Sequence, residues 1–283
     1  MMKWLSVFLC LFSSGFTKVY DGFCFFNEFE VLRIRLEELW DVVDYFVLVE
    51  SIETQKGEKK PLYFCENAHL FEKYARKIIP IAIEETHPEF TDSWERENYQ
   101  RNQILRGLVG CQPDDLIIIS DLDEIPRKTC FPSVMKYLSQ DEWGVKELYC
   151  PPKAISLQQT LCFHQLNRIP YPDNPWRDRW IGTVFTTYKN LIKHPPQYFR
   201  NFRGHFPSLP NAGWHFTWMG GIEKIRQKHA SVVEGNSACV HTSDEVIQQQ
   251  IEKHPVVPID TSFPQYVQDN IDYFISIGFI APY

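Results

Sequence analysis

Short apolar runs alternate with amphipathic stretches through the first half of the chain. Residues 19–26 read as a strand, after which Phe29, Leu32, Leu36 and Leu39 recur at helical spacing, with Glu28, Arg33, Glu37 and Glu38 on other faces. Asn27 in front of this helix suits an N-cap, with Glu30 three residues on in capping-box position. Residues 45–50 form a second apolar strand that ends in an acid, Glu50. Strand, helix and strand within about 30 residues make a βαβ unit, whose right-handed crossover gives parallel pairing. A polar loop at 51–61, a helix around 70–77 and a third strand at 78–83 follow. Residues 94–109 read as a helix on which Asn98, Arg101, Asn102 and Leu105 share one face, either lining a polar cleft or facing solvent. Residues 116–119 then supply the short β-branched run of a fully buried strand.

Past that strand, 132–138 reads as a short helix and 144–150 as a strand. Residues 151–213 are rich in Pro, aromatics and loops, without a linker or repeat. Helices return at 222–233, 244–253 and 264–277, the last with Pro264 at N1 and Gly278 at the C-cap. The alternation predicts an α/β fold with a mostly parallel central sheet flanked by helices, in one domain spanning 18–283.

Composition narrows the role. Hydrophobic residues at 44% and aromatics at 15% of 283 residues supply a large core. A net charge of −7 argues against nucleic-acid binding through bulk positive charge. Residues 1–17 resemble a signal peptide or short anchor: Lys3, an apolar run and then Ser13-Ser14-Gly15. That run is shorter than the roughly 20 residues of a membrane span, so membrane contact is expected at most through this segment, and export is the expected route. Cleavage there would discard Cys10 and leave an odd number of cysteines, with at least one thiol free or paired with another chain.

The chemistry concentrates at Ser120-Asp121-Leu122-Asp123-Glu124-Ile125-Pro126. Three carboxylates sit where a buried strand empties into a loop, at the edge where open α/β sheets collect ligands. Like charges packed there need a cation or a protonation shift. A divalent metal with oxygen ligands, Mg²⁺ or Mn²⁺, meets that need. An acidic turn with Asp123 and Glu124 in water is the plainer alternative. Glu50 could accept hydrogen bonds from a ribose or base.

Five stretches in matching order carry a family resemblance: residues 25–39 (FFNEFEVLRIRLEEL), 44–51 (DYFVLVES), 96–102 (RENYQRN), 120–126 (SDLDEIP) and 213–221 (GWHFTWMGG). Over about 200 residues the chain resembles glycosyltransferase family 17. The resemblance implies a GT-A-like nucleotide-sugar-binding fold, a UDP-sugar donor, a glycan or glycoprotein acceptor, and Mn²⁺ or Mg²⁺. It implies Asp121 and Asp123 as the metal pair, with Glu124 as a third acid in the loop and His215 completing the shell. A buried, hydrogen-bonded histidine is the alternative for His215. Asn27, Glu50, Arg101 and Asn102 would face the donor, and Gly220-Gly221 with Lys224 could take phosphate at a helix start, although two glycines are also an ordinary connection. Inversion at the sugar requires a carboxylate base, with Asp178, Glu147 and Glu223 as candidates. For Asp178, a salt-bridged loop acid is the alternative. Two other functions fit less well: a non-catalytic glycan-binding protein on the same fold, and a haloacid-dehalogenase-like phosphatase, against which Glu124, Ile125 and the mid-chain position of the motif all count.

Overall fold

The computed structural model describes residues 17–140, 152–235 and 237–283. Among these residues, nine strands are β1 (Val19–Cys24), β2 (Tyr45–Ser51), β3 (Ile78–Ile83), β4 (Leu116–Asp121), β5 (Glu124–Pro126), β6 (Ala154–Phe163), β7 (Trp180–Thr187), β8 (Ser208–Leu209) and β9 (Gly213–Thr217). They order as β3-β2-β1-β4-β7-β6-β9-β5, with β8 on β6. The first four in that order are parallel, so Ser51, Cys24 and Asp121 all end at one edge. Beyond β4 the sheet is mixed: β7 runs antiparallel to both β4 and β6, and β9 is parallel to β6. This is the expected α/β class, with the run of adjacent parallel strands confined to the N-terminal part of the chain.

Alternation explains how these strands fill the interior. In β4, Leu116 and Ile118 enter one core layer with Phe23, Leu32, Phe46 and Phe185. Ile117 and Ile119 enter the opposite layer with Val47, Ile104, Val184 and Phe199. A strand buried on both faces reads as a continuous apolar run, which is why 116–119 was visible in sequence. The helix Phe29–Leu39 places Leu32, Leu36 and Leu39 on its buried stripe, and Arg35 falls among them with none of its surface exposed.

That arginine organises the acidic loop. Its Nε and Nη2 donate to the two oxygens of buried Asp21 on β1 at 2.7 and 2.6 Å. Its Nη1 donates to the carbonyls of Asp121, Leu122 and Glu124 at 2.9, 3.0 and 3.2 Å, and Nη2 also reaches Ser120 Oγ at 2.6 Å. One guanidinium therefore ties the crossover helix to β1 and to the turn that carries the acids.

Several expectations need correction. Asn27 is not an N-cap: the helix begins at Phe29, Glu28 holds the cap position without a side-chain capping bond, and the Asn27 amide donates instead to Gln227 Oε1 at 2.6 Å. The capping box lies at the helix Ser93–Asn102, where Asp92 and Glu95 bond reciprocally. That helix gives way to a 3₁₀ segment, Gln103–Gly107, rather than running on to 109. The helix around 70–77 is a 3₁₀ segment, Ala68–Tyr74, interrupted at Phe71. Residues 151–213 hold the long strands β6 and β7 rather than mostly loop. The C-terminal helix is two, Gln265–Asp269 and Ile271–Ser276, with Pro264 as the cap residue before the first and Gly278 in the left-handed region at φ 74° after the second. The strand expected at 144–150 and most of the leader at 1–17 lie outside the described residues.

Replacing Arg35 with Met would leave Asp21 a buried charge without its cation, a loss of about 3–5 kcal/mol. Urea unfolding of Arg35→Met should show a destabilisation of that order. A variant within about 0.5 kcal/mol of the parent would remove Arg35 from its organising role.

Candidate active site

The carboxyl ends of β1, β2 and β4 open into a cavity of about 660 Å³, a size suited to a small-molecule ligand. The acidic turn forms its floor. Trp94, Glu97, Asn98 and Arg101 of the helix Ser93–Asn102 form one wall. Gln197 and Arg200, from the helix Pro196–Asn201, form a second. Trp180, His215 and Lys228 close the far side, and Phe26, Gln55 and Lys60 lie toward β1 and β2.

Each acid has a different set of partners. Asp121 accepts from Arg101 Nη2 at 2.7 Å and from Arg200 Nη2 at 2.5 Å. Burial would raise its pKa, but Arg200 and then Arg101 outweigh that effect and hold the carboxyl well below the usual range. Asp123 faces Lys228 Nζ at 3.1 Å and His215 Nε2 at 3.4 Å. Burial opposes its ionisation as well, and Lys228 followed by His215 overcomes it, so this carboxyl is also depressed. Glu124 is fully buried beneath the floor: both its oxygens take Arg200, at 2.6 and 2.8 Å, and Oε1 also accepts from Trp180 Nε1 at 2.8 Å. Room for that carboxyl comes from Gly182, where a Cβ would lie 2.5 Å from Glu124 Cδ. The plainer expectation, with Asp123 and Glu124 in water, is therefore wrong for both.

Pairing of β5 with β9 sets Glu124 opposite His215, and this is what brings the two sequence-distant segments together. The His215 ring stacks on Trp180 at 4.6 Å between centroids. Its Nδ1 is buried without a partner among the described residues, so stacking on Trp180 and the Nε2 contact with Asp123 hold the ring. A divalent ion can be tested against this arrangement. Among the described residues no three His, Cys, Asp or Glu side chains cluster as a ready-made metal cage. Asp123 and His215 nevertheless lie side by side at 3.4 Å, and Lys228 already rests on Asp123 as an internal cation. Two protein ligands with phosphate oxygens supplying the rest is the usual Mg²⁺-type arrangement, and these residues fit it.

The remaining expected residues divide sharply. Arg101 lines the cavity, whereas Asn102 turns away and accepts the Gln197 N–H at 3.0 Å. Glu50 does not reach the cavity: its oxygens take the Phe64 and Cys65 N–H groups at 2.9 and 2.8 Å, so it anchors the turn Tyr63–Glu66. Asn27 and Lys224 lie against one another outside the lining, with Lys224 Nζ donating to the Asn27 carbonyl at 3.3 Å. Asp178 is 63% exposed, beside Arg177 at 3.4 Å and outside the cavity. Glu223 is exposed and equally remote from the lining. Glu147 lies outside the described residues. Arg200, Trp180 and Glu97 belong to the site but were not singled out in sequence. Only Glu97 left a local signal, an i,i+4 pair with Arg101 at 2.7 Å.

Parallel strands ending in an acid pair, with basic side chains over it, make an α/β ligand-binding edge. The model of "Glycosyltransferase family 17" matches residues 11–138. Beta-1,4-mannosyl-glycoprotein 4-beta-N-acetylglucosaminyltransferases of Rattus norvegicus and Homo sapiens are each 37% identical over 232 residues, covering 74% of this chain and 42% of theirs. The chain thus spans less than half the length of these curated relatives. A mannosyltransferase from Pyrobaculum calidifontis, solved with GDP-Man and Mn²⁺, aligns at 10% identity and a TM-score of 0.44 over 83% of this chain and 69% of that one. In sequence the chain is thus similar to glycosyltransferase family 17.

The depressed carboxyls set an acid dependence. Both groups have folded-state pKa values below the unfolded value of about 3.9, so their contribution to stability is present above that pH and is lost as pH falls below it. In metal-free buffer Asp121→Asn should be less stable than the parent near neutrality, and the gap should close as pH falls below about 4. Urea melts across that range check it, and a constant gap would contradict it.

Proposed function

We propose that the chain is an inverting, metal-dependent glycosyltransferase that moves N-acetylglucosamine, or a related sugar, from a UDP-sugar to a glycan or glycoprotein acceptor. The observation that carries this reading is the juxtaposition of an acid pair with three enclosed cations, Arg101, Arg200 and Lys228, at the carboxyl edge of the parallel strands. The names of the curated relatives support the donor sugar and the β-linked product. An exported setting, with 1–17 as a leader or short anchor and 18–283 as one catalytic domain, suits a glycoprotein acceptor. No helix among the described residues is long and apolar enough to cross a membrane.

Asp123 and His215, with Asp121, would hold Mn²⁺ or Mg²⁺. Bound there, the ion would act as a Lewis acid that stabilises the charge developing on the departing UDP. The chain's own cations serve the same end. A diphosphate seated at the acid pair meets Arg101, Arg200 and Lys228, all preorganised by ion pairs, and preorganised charge is effective where water is excluded. Trp94, at 48% exposure on the rim, and Phe26 offer ring faces to a base or sugar. Trp180 fixes His215 by stacking and Glu124 by its indole N–H.

Transfer from UDP-N-acetylglucosamine with Mn²⁺ to a glycoprotein bearing exposed β-mannosyl cores, read as acceptor labelling and UDP release, tests the reading. Asp123→Ala should lose about 10²-fold or more in turnover. Full activity in that variant would refute the acid-pair assignment. A parent protein that binds glycan without turnover would instead be a glycan-binding module.

A further inference from the structure

Among the described residues, six carboxylates line the cavity, Glu28, Glu53, Glu97, Asp121, Asp123 and Glu234. Five of them sit in ion pairs with a cation. Glu28 and Asp123 share Lys228, Glu97 and Asp121 share Arg101, and Glu53 faces Arg96 at 3.8 Å. Glu234 makes no close ion pair or hydrogen bond with any described residue, and Arg200 and His215 act on it only at longer range, more weakly than burial and the Asp121 and Glu97 charges. A carboxylate held by a guanidinium or ammonium is a poor proton acceptor, because the cation stabilises its ionised form. We propose that Glu234 is the general base that deprotonates the acceptor hydroxyl, an assignment resting on the donor reading above.

Its position is fixed from both sides. The Val233 N–H donates to Gln55 Oε1 at 2.7 Å, and Lys56 Nζ donates to the carbonyls of His229 and Gly235 at 2.7 and 2.9 Å. Gly235 packs so closely on the preceding helix that a Cβ would stand 2.2 Å from the His229 carbonyl oxygen. The segment between Val232 and Gly235 is therefore pinned to the loop after β2, and Glu234 is left lining the cavity with its side chain partly open to solvent. The enclosing walls, and after them the charges of Asp121 and Glu97, push its pKa up, which favours proton uptake.

In the step assigned to it, the acceptor oxygen forms a bond to the anomeric carbon on the face opposite the phosphate. The bond from that carbon to the phosphate oxygen breaks, with its electron pair leaving on UDP, and the hydroxyl proton passes to the Glu234 carboxylate. Atoms and charge balance without any further reactant, and one displacement gives inversion.

Glu234→Gln and Glu234→Asp, assayed with UDP-N-acetylglucosamine, Mn²⁺ and the β-mannosyl glycoprotein, test the assignment alongside calorimetric titration with UDP and thermal melting. Glu234→Gln should lose about 10²–10⁴-fold in kcat while its UDP affinity and melting temperature stay at parent values. Glu234→Asp should retain part of the rate. Formate should restore turnover to Glu234→Ala and none to Asp123→Ala. Parent-level turnover in Glu234→Gln overturns the base assignment alone. Loss of UDP binding together with turnover overturns it in favour of a donor-binding role. A parent protein that neither binds UDP nor transfers overturns the donor reading, and the base with it.

Discussion

The buried ion pair between Arg35 and Asp21 is the constraint on which the site depends. Neither side chain has solvent-exposed surface, so each charge is tolerable only because the other is present. The guanidinium has five donors in a rigid fork, and two of its nitrogens face Asp21. The remaining bonds go to Ser120 Oγ and to three carbonyls of the acidic turn. Carbonyls drawn inward toward Arg35 leave the Asp121 and Asp123 side chains to project outward, where the cavity is. Position in the crossover helix makes this possible: Arg35 takes a place on the apolar stripe of Leu32, Leu36 and Leu39, directly under the sheet edge.

Above that anchor, charge is balanced by exchangeable partners. Asp121 is shared between Arg101 and Arg200, and Asp123 between Lys228 and His215. Glu124 differs, because its bidentate pair with Arg200 is buried and its indole partner comes from Trp180. Glu124 thus holds Arg200 in place while Asp121 takes the guanidinium's outer edge. The cavity side presents groups that can trade one charged partner for another, and the buried side presents groups that cannot. Such an arrangement suits an incoming diphosphate accompanied by a cation, since carboxylates and basic side chains can re-pair with them without an uncompensated buried charge at any stage.

The legible part of the fold was the part with apolar periodicity. Residues 116–119 announced a doubly buried strand, and the acids that follow it announced the site. Strands β6 and β7 were hidden because polar residues hold several of their interior positions alongside the apolar ones. Ser156, Gln159, Thr183 and Thr186 are fully buried, and the Gln159 amide serves the Trp214 carbonyl and the Thr183 N–H. Hydrogen bonding replaces hydrophobic alternation there, so the period-2 signal fails. Arg200 was missed because it sits in a six-residue helix whose target, Glu124, is 76 residues away. Glu50 misled for the opposite reason. Its place at the end of β2 is where a ligand-facing acid is expected, yet two backbone N–H groups claim it. Glu234 lies in an irregular turn that no periodicity marks, and only the ion-pair pattern around the cavity isolates it.

The central claim is that Asp121 and Asp123 hold a diphosphate together with a divalent cation. Calorimetric titration of UDP into the parent protein, with Mn²⁺ and then with excess chelator, tests it directly. Saturable binding in Mn²⁺ that disappears in chelator is the predicted result. Binding of equal strength in both conditions would show that the arginines and Lys228 suffice without a metal, and would contradict it.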